Sequence, residues 1–401
     1  MFYRRYALNR ATVIRLLVSN SGERQLAHLQ ITVCKCADDD MRTDPPVPSA
    51  AERSPDFHFD EVVFMATAIV ERNLELAGSS SSLKGSDFID FRQFSKRQLE
   101  VLLDLAHDFK RGRNHQRFLE GKHLGMLFAV ASTRTRISFQ VAASQLGAHA
   151  EHYNSADLQL SNREELKDTA AVMGRYLNAI IVRMYDMTQY GKGRASLDTI
   201  AEYSRVPVIN ALDDKDHPCQ VLADILTLQD KYGNDYKKKK VVMTWGYSKR
   251  QKSLGVLHSM MTAGAMLGMD LRFVHPKGFE LDDEYVSFAR SAVQSSGGSL
   301  EFSNDLMEAS EKADVIYVKN WKSLRMSTEE EANFKEGIRQ DWCVTSEHFN
   351  RANPGACYMD CMPFIRGEQV TAEVADGPNS VIYDQAENRL YAQKAILASI
   401  V

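Results

Sequence analysis

No apolar run in this 401-residue chain approaches the ~18 residues that a membrane-spanning helix needs. Cysteine is sparse, and Cys34, Cys36, Cys219, Cys343, Cys357 and Cys361 lack paired metal-ligand spacing. They read as reduced thiols of an intracellular protein rather than a disulfide framework. Positive charge is not in excess either. Lys and Arg number 49 against 53 Asp and Glu, a formal net charge of −4, which argues against a general nucleic-acid binder. What is left is a soluble globular protein, with no membrane or nucleic-acid partner. Its 44% hydrophobic content is enough to bury one or two sizeable cores.

Acidic residues are missing from the start of the chain. Arg4, Arg5, Arg10 and Arg15 all precede the first acid, Glu23. A basic, amphipathic, acid-free opening has the composition of an organelle transit peptide or of an ordinary basic tail, so the expected location is the cytoplasm, or a mitochondrial-type organelle if the segment is a targeting signal. Further on, DPPVPSAAERSPD at 44–56 and SSSS at 79–82 are linker-like, because proline and serine there cannot support a packed element. Residues 1–86 are therefore read as a poorly structured N-terminal extension.

From Asp87 the texture changes. FSKRQLEVLLDLAHDFKRG offers Ser95 as an N-cap with Gln98 three residues later, and then Leu99, Leu102, Leu103, Ala106 and Phe109 on one helical face. Short apolar runs follow, among them HLGMLFAVA, AIIVRM, VPVINA, VVMTW, DLRFVHP, ADVIYVKNW and ACYMDCMP, separated by amphipathic stretches. Buried strands alternating with helices predict an α/β chain of two doubly wound parallel-sheet domains, over 87–230 and 231–401. The lysine run 237–240 reads as a solvated turn before a strand.

Chemistry concentrates where one of these strands ends. STRTR, residues 132–136, sits at a strand-to-helix junction, and the first turn of a helix offers unpaired N–H groups and a partial positive charge. A phosphate there gains those donors, the hydroxyls of Ser132, Thr133 and Thr135, and Arg134 in a bidentate grip. A capped helix with solvated arginines would look the same in isolation. However, Arg183 ends another apolar run, and DHPCQVLADIL sets His217 and Gln220 three apart at a helix start. All of these fall at the carboxyl ends of strands, where open α/β sheets bind ligands.

In this order, STRTR, KDT..V.GR, an arginine-ended strand, HPCQ and D.AENR resemble the aspartate/ornithine carbamoyltransferase superfamily across about residues 87–401. The resemblance implies a carbamoyl-phosphate domain followed by an amino-acid domain, assembled as homotrimers with sites at subunit interfaces, and no cofactor or metal. It assigns Ser132, Thr133, Arg134 and Thr135 to the phosphate, and Arg183, His217 and Gln220 to the carbamoyl group. Arg389 would close on the ligand from the second domain, and Gln159 and Arg163 would reach a neighbouring subunit's site. Arg183, His217 and Thr135 would be catalytic: a neutral amine attacks the carbonyl carbon, and donors aimed at the developing oxyanion are what the reaction needs.

The second-substrate side departs from the ornithine pattern. An aspartate expected after strand VIYV is Lys319; Ser323 is kept, but Leu324 and Arg325 follow it. The HCLP signature reads DCMP, with Cys361 and Met362 as candidate acceptor contacts, and no asparagine lies between 239 and 302. MTWGYSKRQKSLG resembles instead the N-acylornithine branch, in which a long loop forms part of a chain knot. Lys249, Arg250, Lys252, Lys319, Lys322 and Arg325 are expected to make the second pocket positive, which suits an exposed carboxylate and a blocked or absent α-amino group. The leading reading is carbamoyl transfer to ornithine or an ornithine derivative. The alternatives are another acceptor, aspartate or a diamine, and a non-catalytic carbamoyl-phosphate-binding homologue.

Overall fold

A computed structural model describes residues 2–9, 12–20, 27–35, 83–155, 157–158 and 164–401. Two compact units divide the chain, Met1–Thr67 and Ala68–Val401. In the first, β1 (Phe2–Asn9), β2 (Thr12–Asn20) and β3 (Ala27–Lys35) pair antiparallel in sequential order, so the basic opening of the chain runs as regular strands. The linker-like stretches at 44–56 and 79–82 lie outside the described residues.

The second unit opens as its local chemistry dictates. Helix α1 (Lys96–Lys110) starts at a reciprocal cap: Gln98 N–H donates to Ser95 Oγ at 3.3 Å, and Ser95 N–H donates to Gln98 Oε1 at 2.8 Å. Its apolar face, Leu99, Leu102, Leu103, Ala106 and Phe109, is buried. Four parallel strands follow, β4 (His123–Phe128), β5 (His149–Tyr153), β6 (Ala179–Arg183) and β7 (Val208–Leu212), in the order β5-β4-β6-β7. Helices α2 (Thr133–Gln145), α3 (Leu166–Tyr176) and α4 (Lys192–Tyr203) cross between them. Helix α5 (Pro218–Tyr232) leads into a second parallel sheet, β8 (Lys240–Trp245), β9 (Asp270–Val274), β10 (Ser299–Ser303), β11 (Val315–Lys319) and β12 (Cys357–Met359), ordered β10-β9-β8-β11-β12. Around it lie α6 (Gly255–Leu267), α7 (Asp283–Ser296), α8 (Leu306–Ser310), α9 (Thr328–Gly337), α10 (Ser346–Arg351), α11 (Ala372–Ala375) and α12 (Ile382–Ile400). Strands β7 and β11 are buried at every position, and β4, β6 and β8 at all but one terminal residue each, as continuous apolar runs covered on both faces require.

Strand order reverses between β4 and β6 in the first sheet and between β8 and β11 in the second. Loops diverge at such points and leave a crevice beyond the carboxyl ends of the strands. The helix α12 does not stay with the sheet that precedes it. Its buried residues Ala392, Ala395, Ile396 and Ile400 pack back onto α1, α2 and α5. Asn388 fixes its rotation, donating through Nδ2 to Thr227 Oγ1 and Asp230 Oδ2, both at 2.9 Å. Among the described residues no helix is long and apolar enough to cross a membrane.

Candidate active site

Both reversal points open onto one cavity of about 900 Å³. On the first-sheet side, Ser132 N-caps α2 with extended backbone and accepts the Thr135 N–H at 3.3 Å. That leaves the N–H groups of the first turn facing the cavity, which Ser132, Thr133, Arg134 and Thr135 all line. Arg183, the last residue of β6, lines it too, as do His217 and Gln220 at the start of α5. Arg389 enters from α12. Its Nη2 donates to Thr135 Oγ1 at 2.7 Å and its Nη1 to Gln220 Oε1 at 2.6 Å. Because α12 packs against first-sheet helices, Arg389 reaches the cavity from that side rather than closing on it with the second sheet.

Several nitrogens of the residues that line the cavity are left over. The Nε atoms of Arg134, Arg183 and Arg389 and the Nδ1 of His217 are buried without a partner, although buried polar atoms in folded proteins nearly always have one. Three of these nitrogens belong to guanidinium groups, and unpaired cationic donors of this kind can receive an anion. Burial also lowers the proton affinity of this group: Arg183 falls below the usual arginine range, Arg389 falls to about 10, and His217 is held well below 6.5. For His217, burial acts first, and the nearby charges of Arg389, Arg183, Lys319 and Arg134 add to it, so the ring is neutral at physiological pH.

The position of His217 is set by groups the sequence did not advertise. Its backbone N–H donates to Ser259 Oγ at 2.9 Å, and that hydroxyl donates to Asp216 Oδ1 at 2.7 Å. Asp216 also accepts from Arg194 Nη2 at 2.8 Å and from the Tyr285 hydroxyl. Arg194 Nε donates to Asp213 at 2.5 Å and so holds both ends of the loop before His217. Gly255 lets α6 approach, since a Cβ there would stand 2.7 Å from the Asp216 carbonyl carbon. Burial pushes the Asp213 and Asp216 carboxyls upward while Arg194 pulls them back.

The second-sheet side contributes Arg250, Gln251, Lys252 and Ser253 from the loop after β8, Lys319 from the end of β11, and Cys361, Met362 and Pro363 from the end of β12. Met362 has φ 53, a left-handed backbone that a non-glycine residue adopts only under constraint. Of the six cations expected there, Arg250, Lys252 and Lys319 line the cavity. Lys322 turns away to the Met187 carbonyl at 2.6 Å, and Arg325 pairs with Glu280 at 2.9 Å. Ser323 is also absent from the lining. Its hydroxyl donates to the Gly278 carbonyl at 2.6 Å and accepts the N–H groups of Arg325 and Met326, which uses it up in a turn. Gln159 and Arg163 lie outside the described residues. Arg136, Gln140, His152 and Tyr185 line the cavity without having been singled out as ligand contacts. Among the described residues, seven arginine and lysine side chains border it, and no aspartate or glutamate does. Burial lowers the Lys319 amine to about 8 and raises the Cys361 thiol.

Two parallel sheets whose strand ends share one cation-lined crevice make an α/β protein with a candidate anion site between its halves. The chain belongs to the aspartate/ornithine carbamoyltransferase family: the family's carbamoyl-P binding domain matches residues 86–230 and its Asp/Orn binding domain matches residues 238–400. The anabolic ornithine carbamoyltransferase of Pyrococcus furiosus is 41% identical over 324 residues, covering 80% of this chain and 98% of that protein. The ornithine carbamoyltransferase of Halalkalibacterium halodurans is 40% identical over 323 residues, 80% of this chain and 96% of its own length. Among solved structures, ornithine carbamoyltransferase from Pyrococcus furiosus superposes with a TM-score of 0.70 at 40% identity, covering 79% of this chain and 97% of that one. Acetylornithine transcarbamylase complexed with acetylcitrulline gives a TM-score of 0.74 at 34% identity, covering 79% of this chain and 99% of its own.

Proposed function

We propose that this protein transfers the carbamoyl group of carbamoyl phosphate to the side-chain amine of ornithine or an ornithine derivative, releasing phosphate and a ureido product. One observation carries the reading: Arg134, Arg183, Arg389 and a neutral His217 converge on one cavity with buried nitrogen atoms unpaired. In this reading residues 87–230 hold carbamoyl phosphate and 231–401 hold the acceptor. The phosphate docks on the first turn of α2 against Ser132, Thr133, Arg134 and Thr135. The carbamoyl oxygen faces Arg183, His217 and Thr135, while Gln220 and Arg389 fix the amide end.

A neutral acceptor amine then attacks the carbonyl carbon. A new N–C bond forms, and charge moves onto the carbonyl oxygen, where the waiting donors stabilise it. Collapse of this tetrahedral species breaks the C–O bond to phosphate, and the departing phosphate takes the amine proton. The chain's own contribution is donor placement and the alignment of two reactants, an effect potentially worth about 7–11 kcal/mol.

A second reading concerns the acceptor. The acid-free lining, with Lys319, Lys252 and Arg250 on the acceptor side, favours a derivative whose α-amino group is acylated and whose carboxylate is exposed. Free ornithine would bring a second cation with no carboxylate to meet it. We further infer a homotrimer, in which Gln159 and Arg163 serve a neighbour's site. Ile137 and Val141 on α2, and Val172 and Tyr176 on α3, are large exposed apolar side chains at helical spacing that support such a contact.

The test is incubation with carbamoyl phosphate and, in turn, ornithine, N-acetylornithine, N-succinylornithine, aspartate and putrescine, following phosphate and ureido product. Turnover with ornithine or an acylated ornithine is expected. Turnover with aspartate or putrescine alone would overturn the acceptor assignment. Binding of carbamoyl phosphate without phosphate release for any amine would establish a non-catalytic homologue.

A further inference from the structure

Beneath the cavity, and lining no part of it, lies a carboxylate that touches both halves of the site. Asp224 on α5 is fully buried, one helical turn beyond Gln220. Its Oδ1 accepts from Gln220 Nε2 at 2.8 Å and from Gln385 Nε2 at 2.7 Å, and its Oδ2 accepts from the Tyr317 hydroxyl at 2.9 Å. A further bond, 3.0 Å long, joins Gln385 Nε2 to the Tyr317 hydroxyl.

These bonds extend in two directions. Toward the phosphate, Gln220 is turned so that its Oε1 accepts Arg389 Nη1, and Arg389 in turn grips Thr135 Oγ1 in the first turn of α2. An amide has one donor end and one acceptor end, so binding Asp224 through Nε2 is what aims Oε1 at the arginine. Toward the acceptor, Tyr317 lies on β11 two residues before Lys319, and Gln385 Oε1 accepts the Asp360 N–H at 3.1 Å, directly before Cys361. One carboxylate therefore sits between the residues assigned to the donor and the strand ends assigned to the acceptor.

We propose that Asp224 is a positioning residue for both substrates, registering the Gln220–Arg389–Thr135 grip against the β11 and β12 ends that carry Lys319 and Cys361. It touches neither reactant and acts through its neighbours. The proposal deepens the carbamoyltransferase reading, and its donor-binding arm stands without any acceptor being known. Only the carboxylate can accept all three donors at once; a protonated acid must give up one of them or turn its own O–H outward. Burial raises this carboxyl to about 6. The charged or titratable groups facing it are Arg389 from α12, Tyr317 from β11 and Cys361 beyond β12. Tyr317 is itself pushed well above its ordinary range by burial, and burial likewise raises Cys361, so neither titrates near that pH.

The experiment measures carbamoyl phosphate binding by calorimetry, and its KM where turnover is present, for the full-length protein and three variants. Asp224→Asn keeps the shape, while Tyr317→Phe and Gln385→Leu each cut one arm on the second-sheet side. All three are expected to weaken carbamoyl phosphate by about ten-fold, the effect of losing one charge-assisted hydrogen bond, although neither Tyr317 nor Gln385 borders the cavity. Binding by the unsubstituted protein is expected to weaken as pH falls through about 6, and that limb should vanish in Asp224→Asn. A merely structural carboxylate would lower the melting temperature and leave affinity and pH profile alone. That outcome, or unchanged binding in all three variants, overturns the proposal. If no amine accepts the carbamoyl group yet these binding shifts appear, the functional reading fails and the positioning role survives.

Discussion

Replacing Lys319 by aspartate tests the acceptor assignment with a magnitude the structure supplies. Lys319 is 6% exposed, and among the described residues its amine donates to the Asn320 carbonyl at 2.8 Å. Burial, the first cause, lowers it from 10.5 to about 8, with Lys252 and Arg183 adding to the shift and Cys361 and Asp360 opposing it. Keeping it charged at neutral pH therefore costs about 3 kcal/mol at 1.36 kcal/mol per pH unit, a cost that an acceptor carboxylate beside it would offset. Lys319→Asp removes that repelling cation and offers a carboxylate to the α-ammonium group of free ornithine. A charge-assisted hydrogen bond of this kind is worth about 1.5–3 kcal/mol, or roughly 10–100-fold in kcat/KM. The assay is the initial rate of ureido product from ornithine and from N-acetylornithine at saturating carbamoyl phosphate. The ratio of kcat/KM values should move toward ornithine by that factor. Lys319→Met serves as the control. It should melt higher than the unsubstituted protein, because the buried charge is gone, and lose kcat/KM toward both acceptors, which each carry a carboxylate, with the smaller loss for ornithine because the cation that repels its α-ammonium group is gone. An unchanged acceptor ratio with an intact KM for carbamoyl phosphate would refute the claim that Lys319 faces the acceptor.

The same amine sets a pH dependence: it is charged only below about 8, so the KM of an anionic acceptor should rise as pH passes upward through that value. Stability runs the other way, because the folded chain binds fewer protons at Lys319 than the unfolded chain between about 8 and 10.5; chemical denaturation should show a gain across that window, absent in Lys319→Met. Arg183→Met should lower kcat about 10²–10³-fold with the fold intact by circular dichroism, the usual effect of losing one oxyanion donor. Arg194→Met leaves Asp213 and Asp216 buried without their cation and should cost about 3–5 kcal/mol in urea unfolding. Tyr176→Glu, on the exposed face of α3, should reduce the particle mass measured by light scattering if that face joins subunits.

What the sequence made legible was local. A serine cap, two threonines and an arginine at a strand-to-helix junction are governed by the geometry of one helical turn, and Ser132 caps α2 as that chemistry requires. Arg183 could be read because an apolar run ending in arginine pushes the charge out at a strand end. Ser323 failed for a physical reason: a serine hydroxyl satisfies nearby backbone groups as readily as a ligand, and here three such groups take it. The cationic stretch 249–252 and 319–325 was read as one surface, but side chains alternate and loops turn, so only three of its six cations face inward. Arg194, Asp213 and Asp216 form one buried cluster from positions about 20 apart, with no periodicity to mark them. Asp224 was within reach of the sequence, since it stands at i+4 from Gln220 on the same helix face, where neighbouring polar groups pair. The return of α12 to the first sheet's helices has no local signature, because which helices an apolar face covers is decided by tertiary packing.

The electrostatics of the cavity tie substrate binding to the protonation state of His217. Imidazolium would donate from both nitrogens and add another positive charge to a site already rich in cations, which raises the cost of every proton it binds. Burial is the first cause that drives that proton off, and the charges of Arg389, Arg183, Lys319 and Arg134, three of them assigned to the donor and one to the acceptor, add to it. The backbone N–H of His217 is fixed by Ser259, and its ring, neutral and with Nδ1 unpaired, has one N–H to offer a carbonyl oxygen. Once a dianion offsets the surrounding charge, the same ring can tolerate more positive character, which is the demand made on it as the carbonyl oxygen becomes anionic. The cations proposed to hold the phosphate thus add to burial in keeping the histidine neutral, and removing Arg134, Arg183 or Arg389 should weaken donor binding and transition-state stabilisation together.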